Sequence, residues 1–205
     1  VMSTATTILI AQYLGAKNQE KISETCAVSL LINGVFSLIA STLLLLFNQE
    51  LFVWMQVPTE ILADTCTYLR IVAYGILFQG LYFSFVACFR GYSLMKTTMG
   101  VSIVMNLFNI LGNWILIYGF WIIPPMGVAG VAISTNISKI LGLIIIFILF
   151  KKYLGIKISK QHLFPLPWNL IKRMLSISIP TGGEALSYQL SQTTIMKMVN
   201  VFGLV

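Results

Sequence analysis

The sequence predicts an all-α integral membrane protein built as a multi-pass helical bundle. Hydrophobic residues make up 58% of its 205 residues and charged residues only 9%, whereas soluble domains carry about 25% charged residues. Its apolar runs are long and uninterrupted, as in "LGLIIIFILF" (141–150). They lack the alternation of apolar and polar residues that a membrane β-barrel requires, so each run is predicted to be a helix.

Six helical segments are expected along the chain. The first ends near residue 14, short of the roughly 20 residues that a full crossing needs, and no basic region precedes it as in a signal peptide. Four segments are long enough to span a hydrocarbon core of about 30 Å: 26–48, 66–89, 97–120 and 127–150. A sixth begins near residue 177. Because the first and last segments stop inside apolar runs, we expect an excerpt from a longer protein.

A charged linker and a short amphipathic helix are predicted before the sixth segment. Pro167 suits a helix start, and Lys172 and Arg173 would meet lipid headgroups. The apolar face of this helix would comprise Leu170, Ile171, Met174, Leu175 and Ser178. The predicted parts are an amino-terminal lobe (1–155), a cytoplasmic linker with this helix (156–177), and the truncated first helix of a second lobe (178–205).

The net charge of +7 is explained by membrane topology and not by nucleic-acid binding. Basic residues fall in the first, third and fifth loops, near 15–24, 90–96 and 151–173. The second loop ("NQELFVWMQVPTE") and the fourth ("GFWIIPPMG") contain no Lys or Arg. The positive-inside rule then places the three basic loops in the cytoplasm. We expect a plasma-membrane protein with lipid neighbours and no nucleic-acid partner.

Neither the cysteines nor the single histidine forms a metal-binding pattern. Cys26, Cys66 and Cys88 fall at or within predicted spans without CxxC spacing, so we interpret them as small apolar residues. His162 lies in the fifth loop without a second ligand nearby, whereas a zinc site needs three or four. No cofactor is expected.

Polar residues form one stripe on each of three predicted helices. The stripes are Ser102, Asn106, Asn109 and Asn113; Cys26, Ser29, Asn33 and Ser37; and Glu184, Ser187, Tyr188, Ser191 and Gln192. Such residues can hold helices together, at under about 2 kcal/mol per contact, or line a water-accessible cavity. Three parallel stripes favour one shared cavity, which a solute pathway needs.

The segment 127–150 combines a packing ridge with a charge. Gly130, Ser134, Ser138 and Gly142 recur every four residues, a spacing that lets another backbone approach closely. Beside the ridge lies Lys139, near the middle of the span, where a lysine costs about 3 kcal/mol. It is expected either to face the cavity or to have a structural partner.

Glu184 follows "SIPTGG" (178–183), where a proline and two glycines favour a kink or an irregular turn. A carboxylate beside a broken helix is a common arrangement for coupling a proton or sodium ion to transport.

Four blocks of sequence resemble the multidrug and toxic compound extrusion (MATE) family. They are "AQYLGAKNQEK" (11–21), "FRGYSLMKTTMGVSIVMNLFNILGNWILIYG" (89–119), "MGVAGVAISTNIS" (126–138) and "SIPTGGEAL" (178–186). The chain is similar to about helices two to seven of such transporters. The resemblance implies a twelve-helix, two-lobe protein with six-helix lobes in an inverted V, acting as a monomer.

The resemblance also implies a cation site. Asn109 and Thr135 match the asparagine and the threonine of the site found in some prokaryotic members, and Asn113 stands where an acid would be. The family's helix-one aspartate lies outside this sequence. Two further departures are Ser93 and Leu94 at the usual Gly-Asp turn, and Glu184, which comes one turn before the family's glutamate position near Tyr188. We therefore assign Glu184 to coupling or gating.

The expected function is cation-coupled antiport, driven by sodium ions or protons, that exports drugs or other bulky, often cationic, organic compounds. Asn109, Asn113 and Thr135 would bind the cation. The cavity would be lined by Asn33, Ser102, Asn106, Lys139, Tyr188 and Gln192. A lipid-linked oligosaccharide flippase is an alternative, although its cavity should be more cationic. An integral membrane enzyme is less favoured because the spans hold no paired carboxylates, His cluster or nucleophile–base pair.

Overall fold

The computed structural model describes residues 2–54, 59–119, 124–156 and 167–202, and within these ranges it contains helices and no strand. The helices are α1 Met2–Gly15, α2 Gln19–Leu46, α3 Asn48–Trp54, α4 Thr59–Gly91, α5 Met95–Tyr118, α6 Gly127–Leu149 and α7 Trp168–Phe202. A π-helical turn, Phe150–Leu154, directly follows α6. The predicted all-α class is confirmed. The short helix α3, in the second loop, was not predicted.

In the described ranges, four helical stretches are long and apolar enough to cross a membrane: Gln19–Leu46, Ile61–Gly91, Met95–Tyr118 and Gly127–Leu154. They match the four complete spans predicted from the sequence, but α2 and α4 begin earlier, at Gln19 and Thr59. At α2 the earlier start has a local cause, because the Asn18 side chain caps the helix by accepting a hydrogen bond from the Lys21 amide at 3.0 Å.

The first and last helices, α1 and α7, do not belong to this set of four candidate spans. With 14 residues α1 is too short, whereas α7 has 35 residues but a more polar composition. The predicted sixth span, from about 177, therefore forms part of a long helix, but this helix is not apolar enough to count among the four candidate membrane spans.

The central helix of the bundle is α4, which packs against α1, α2, α5 and α6. Glycines permit these close approaches: a Cβ at Gly80 would collide with Ser37 of α2, one at Gly91 with Ile10 of α1, and one at Gly75 with Asn136 of α6. The Phe85 and Phe89 rings pack against Phe150, at centroid distances of 5.0 and 6.5 Å.

The ridge of small residues on α6, which the sequence predicts to pack closely on another helix, faces α5. Gly130, Ser134, Ser138 and Gly142 are all buried. A Cβ at Gly130 would lie 2.7 Å from the Leu116 carbonyl oxygen, so the two backbones are nearly in contact there. This close packing fixes the register in which α6 presents its polar side chains to α5.

Tight turns join α1 to α2 and α4 to α5, and both end their helix with a Schellman motif. In the second turn the Leu94 amide donates to the Phe89 carbonyl and the Ser93 amide to the Arg90 carbonyl, each at 2.9 Å. Ser93 and Lys17 occupy the left-handed region, at φ 59° and 55°. A tight turn therefore forms although Ser93 and Leu94 replace the Gly-Asp pair that is usual in the family. Ser93 adopts a conformation that glycine adopts with less steric strain.

Helix α7 runs without interruption from Trp168 to Phe202 and contains Pro180, so the predicted irregular turn is not found there. The proposed boundary at 177/178 falls inside this helix. Its predicted apolar face is buried: Leu170, Ile171 and Met174 pack with Ala5 and Leu9 of α1. His162 and most of the fifth loop lie outside the described residues.

Candidate functional site: a polar cavity between α4, α5 and α6

Three polar side chains form a hydrogen-bonded chain from α5 to α6, which we call the open cluster: Asn109, Asn113 and Thr135. The Asn113 amide Nδ2 donates to Asn109 Oδ1 at 3.1 Å, and Asn109 Nδ2 donates to Thr135 Oγ1 at 3.3 Å. The Thr135 hydroxyl in turn donates to the Val131 carbonyl at 2.8 Å. The three residues matched to the family's cation site are therefore brought together.

The open cluster borders a cavity of about 190 Å³. Its walls come from three helices and are formed by Gln79 of α4, by Met105, Asn106 and Asn109 of α5, and by Thr135, Ser138 and Lys139 of α6. Apart from Met105, these lining residues are polar or charged. Asn106 and Lys139, two of the expected cavity-lining residues, both border this cavity.

Asn113 lies behind Asn109 and is not part of the cavity wall. Its Oδ1 atom is buried and has no hydrogen-bond partner among the residues that the structure describes, and buried polar atoms rarely lack one. Asn113 therefore contacts Asn109 through its amide nitrogen and keeps its oxygen unpaired within the described part of the chain.

Lys139 is the one charged residue in the wall of this cavity. Its side chain is half-buried, and among the described residues its ammonium has no hydrogen-bond or ion-pair partner. The structural partner that the sequence left as an alternative is therefore not present in the described part of the chain.

The stripe on α2 has a different environment, which we call the closed cluster: Thr6, Ser29, Asn33 and Ser84. The Thr6 hydroxyl donates to Ser29 Oγ at 2.9 Å, and Asn33 Nδ2 donates to Ser84 Oγ at 2.7 Å and to Ser29 Oγ at 3.3 Å. Thr6, Ser29 and Ser84 are fully buried. This cluster joins α1, α2 and α4 by mutual hydrogen bonds.

A second cavity, of about 400 Å³, lies beside the closed cluster. Asn33 and Ser37 of α2 border it together with Phe36, Phe83 and Ser178. The Ser178 hydroxyl is buried, and the described part of the chain offers it no hydrogen-bond partner. Asn33, another expected cavity-lining residue, therefore borders a different cavity from the one that Asn109 borders.

The remaining predicted lining residues do not reach the 190 Å³ cavity. Ser102 is exposed and shares a 3.3 Å hydrogen bond with the Tyr82 hydroxyl. Glu184, Tyr188 and Gln192 of α7 are also exposed, and α7 packs chiefly on α1. In the described residues the three stripes thus do not share one cavity, because α5 turns its asparagines toward α6 whereas α2 faces α1 and α4.

The sequence-based prediction missed Gln79 and Ser138 as lining residues. Gln79 had a usable signal, since an unpaired amide within an apolar span is costly and calls for a polar partner or a cavity. Ser138 belongs to the ridge of small residues and is buried, and it also borders the cavity.

Together these features define a class: a multi-pass α-helical membrane protein with a polar cavity between its helices, as in solute transporters. Residues 1–115 match the family model described as MatE. The chain belongs to the MatE family, and the resemblance found in its sequence is confirmed.

Relatives from two bacteria extend the match along the chain. The protein described as uncharacterized transporter YisQ of Bacillus subtilis (strain 168) is 33% identical over 202 residues, which cover 98% of this chain and 44% of that protein. The probable multidrug resistance protein NorM of Thermotoga maritima is 27% identical over 183 residues, covering 89% of this chain and 39% of that protein. The chain thus spans less than half the length of these relatives.

Solved structures share the fold. A crystal structure described as MATE in the bent conformation superposes with a TM-score of 0.82 at 20% identity, over 94% of this chain and 42% of that structure. At this identity the comparison supports the fold alone. The helical bundle described above therefore corresponds to part of a MATE transporter fold.

Proposed function

We propose that the whole protein is a cation-coupled antiporter that exports drugs or other bulky organic compounds across the plasma membrane. The observation that carries the proposal is the hydrogen-bonded chain Asn113–Asn109–Thr135 at the edge of a polar cavity within a membrane bundle. The multidrug resistance name of a relative supports drug export. Loops near 15–24, 90–96 and 151–173 would face the cytoplasm.

The donor set suits a small hard cation. Such ions prefer oxygen ligands, and Asn109 Oδ1, Thr135 Oγ1 and the Gln79 amide oxygen lie on three helices around one cavity. Amides and hydroxyls do not titrate near neutral pH, so this part of the site favours sodium over a proton. Proton coupling would need a carboxylate, for which Glu184 is the candidate on α7.

A matched pair of threonine variants tests the proposal in the full-length protein. Thr135 and Thr42 both donate to the carbonyl four residues earlier, at 2.8 Å, but Thr42 is exposed on α2 and away from the cavity. Thr135→Val should abolish ion-dependent efflux, whereas Thr42→Val should leave it unchanged.

The assay is efflux from proteoliposomes with sodium and pH gradients imposed separately. Normal sodium-dependent efflux by Thr135→Val would refute the cation site. Translocation of lipid-linked sugars without drug export would instead support the flippase alternative.

A further inference from the structure

We propose that the Lys139 ammonium opposes binding of the coupling cation beside Asn109 and Thr135, because the lysine borders the same small cavity as these two residues. The inference rests on the function proposed above and concerns a residue to which that function assigns no role in ion binding.

Position is the first argument. Lys139 comes four residues after Thr135 on α6, so the two side chains lie on one helix face with Cβ atoms about 6 Å apart. Both border the same cavity of about 190 Å³. An ammonium on this side chain and a cation held at Thr135 therefore share one small space.

The second argument is the missing partner. In the described part of the protein the Lys139 ammonium has no ion pair and no hydrogen bond. The polar groups that share its cavity are the amides of Gln79, Asn106 and Asn109 and the hydroxyls of Thr135 and Ser138. An ammonium and a sodium ion seek these same oxygen atoms, because both are cations that must replace lost water.

The third argument is the magnitude of the repulsion. If the ammonium and the bound cation were separated by about 6 Å, at an effective dielectric constant of about 20, their repulsion would weaken cation binding by roughly a hundredfold. The flexible lysine side chain can move the ammonium farther from the cation, which reduces the repulsion. We therefore expect Lys139 to weaken sodium affinity by at least tenfold. A coupling site needs such weakening, since an ion that binds too tightly is not released on the far side.

The test is sodium titration of the purified full-length protein by isothermal titration calorimetry, with choline chloride as the ionic-strength control. Lys139→Met removes the charge and keeps an unbranched side chain, and Lys139→Arg keeps the charge. We expect Lys139→Met to bind sodium at least tenfold more tightly than the parent, and Lys139→Arg to stay within threefold of it. In vesicles, Lys139→Met should saturate at lower sodium and turn over more slowly.

Equal sodium affinity in the parent and Lys139→Met, including no binding in either, would overturn the inference, as would weaker binding in Lys139→Met. The double variant Asn109→Leu/Lys139→Met should not show the increased sodium affinity of Lys139→Met. If it did, the sodium ion would bind at a site that does not include Asn109. Failure of the proposed function has a separate signature, namely sodium-dependent efflux that survives Thr135→Val. Size-exclusion profiles establish that each variant is folded.

Discussion

The open and closed clusters contain the same kinds of side chain on neighbouring helices, yet their environments differ. In the closed cluster, Ser29 and Ser84 are fully buried; the Ser84 hydroxyl donates to the Ser29 carbonyl, and the Ser29 hydroxyl accepts from Thr6. In the open cluster, Asn109 borders a cavity and Asn113 has a buried oxygen for which the described residues provide no partner. Amides and hydroxyls at helical spacing therefore do not by themselves mark a pathway. Asn109 and Asn113 differ from Ser29 and Ser84 because Asn109 borders a cavity and Asn113 has an unpaired oxygen among the described residues. Asn33, at the edge of the closed cluster, borders the separate 400 Å³ cavity.

The largest expected difference between the clusters is in transport. Asn109→Leu should lower sodium-dependent efflux at least a hundredfold, because it removes both the oxygen and the donor that connect Asn113 to Thr135. Ser84→Ala should leave efflux per folded molecule within twofold of the parent. Proteoliposome efflux normalised to reconstituted protein measures both, and comparable losses in the two variants would remove the distinction.

The next effect concerns the packing that builds the open cluster. Gly130→Ala should destabilise the fold by about 1–3 kcal/mol, because the new methyl group would press on the Leu116 carbonyl and shift α5 against α6. Gly100→Ala is the matched control, since a Cβ there meets nothing within 4 Å, and it should be neutral or stabilising. Chemical unfolding in detergent reports both. A Gly130→Ala protein as stable as the parent would show that the helices are farther apart.

For stability we expect the reverse order: a substitution in the closed cluster should destabilise the fold more than one in the open cluster. Ser84→Ala should cost about 1–2 kcal/mol, because Asn33 Nδ2 loses its 2.7 Å acceptor. Asn113→Leu should be close to neutral, since it gives up one hydrogen bond but also removes a buried oxygen that has no partner. Thermal unfolding of the two variants side by side measures this difference. A greater loss of stability in Asn113→Leu than in Ser84→Ala would contradict the account.

The smallest effect lies outside both clusters. Ser93→Gly should stabilise the protein by up to about 1 kcal/mol, because φ at this position is 59° and glycine adopts that region without steric cost. Efflux should not change. Ser93→Ala serves as the control and should give no gain, whereas equal stabilisation by alanine would point to a cause other than the backbone.

Much of the fold followed from local sequence properties. Length and hydropathy located the four spans, and the four-residue repeat of small side chains identified the face of α6 that packs on α5. Helix ends were predicted less well, since a polar first turn such as that after Asn18 continues the helix into the aqueous region without an apolar signal.

The candidate site was predicted in part. The pairing of Asn109 with Thr135 came from family resemblance, because two residues 26 positions apart carry no local signal of contact. The environment of Ser29 could not be predicted either: periodicity shows which residues share a face, but the partners Thr6 and Ser84 belong to other helices. Helix α7 likewise continues through Pro180, although a proline inside a helix removes a hydrogen bond and therefore predicts a break.

The measurement that tests the central claim most directly is the reaction of single cysteines with a water-soluble maleimide. Cysteines would be placed one at a time at positions 106 and 135 of the cavity wall and at positions 29 and 84 of the closed cluster, in a full-length background with Cys26, Cys66 and Cys88 replaced by alanine. We predict that the first two react in at least one transport state, protected by sodium at 135, and that the last two do not react while the protein is folded. Unreactive cysteines at 106 and 135 in every state, or equally rapid labelling at 29 and 84, would contradict the account.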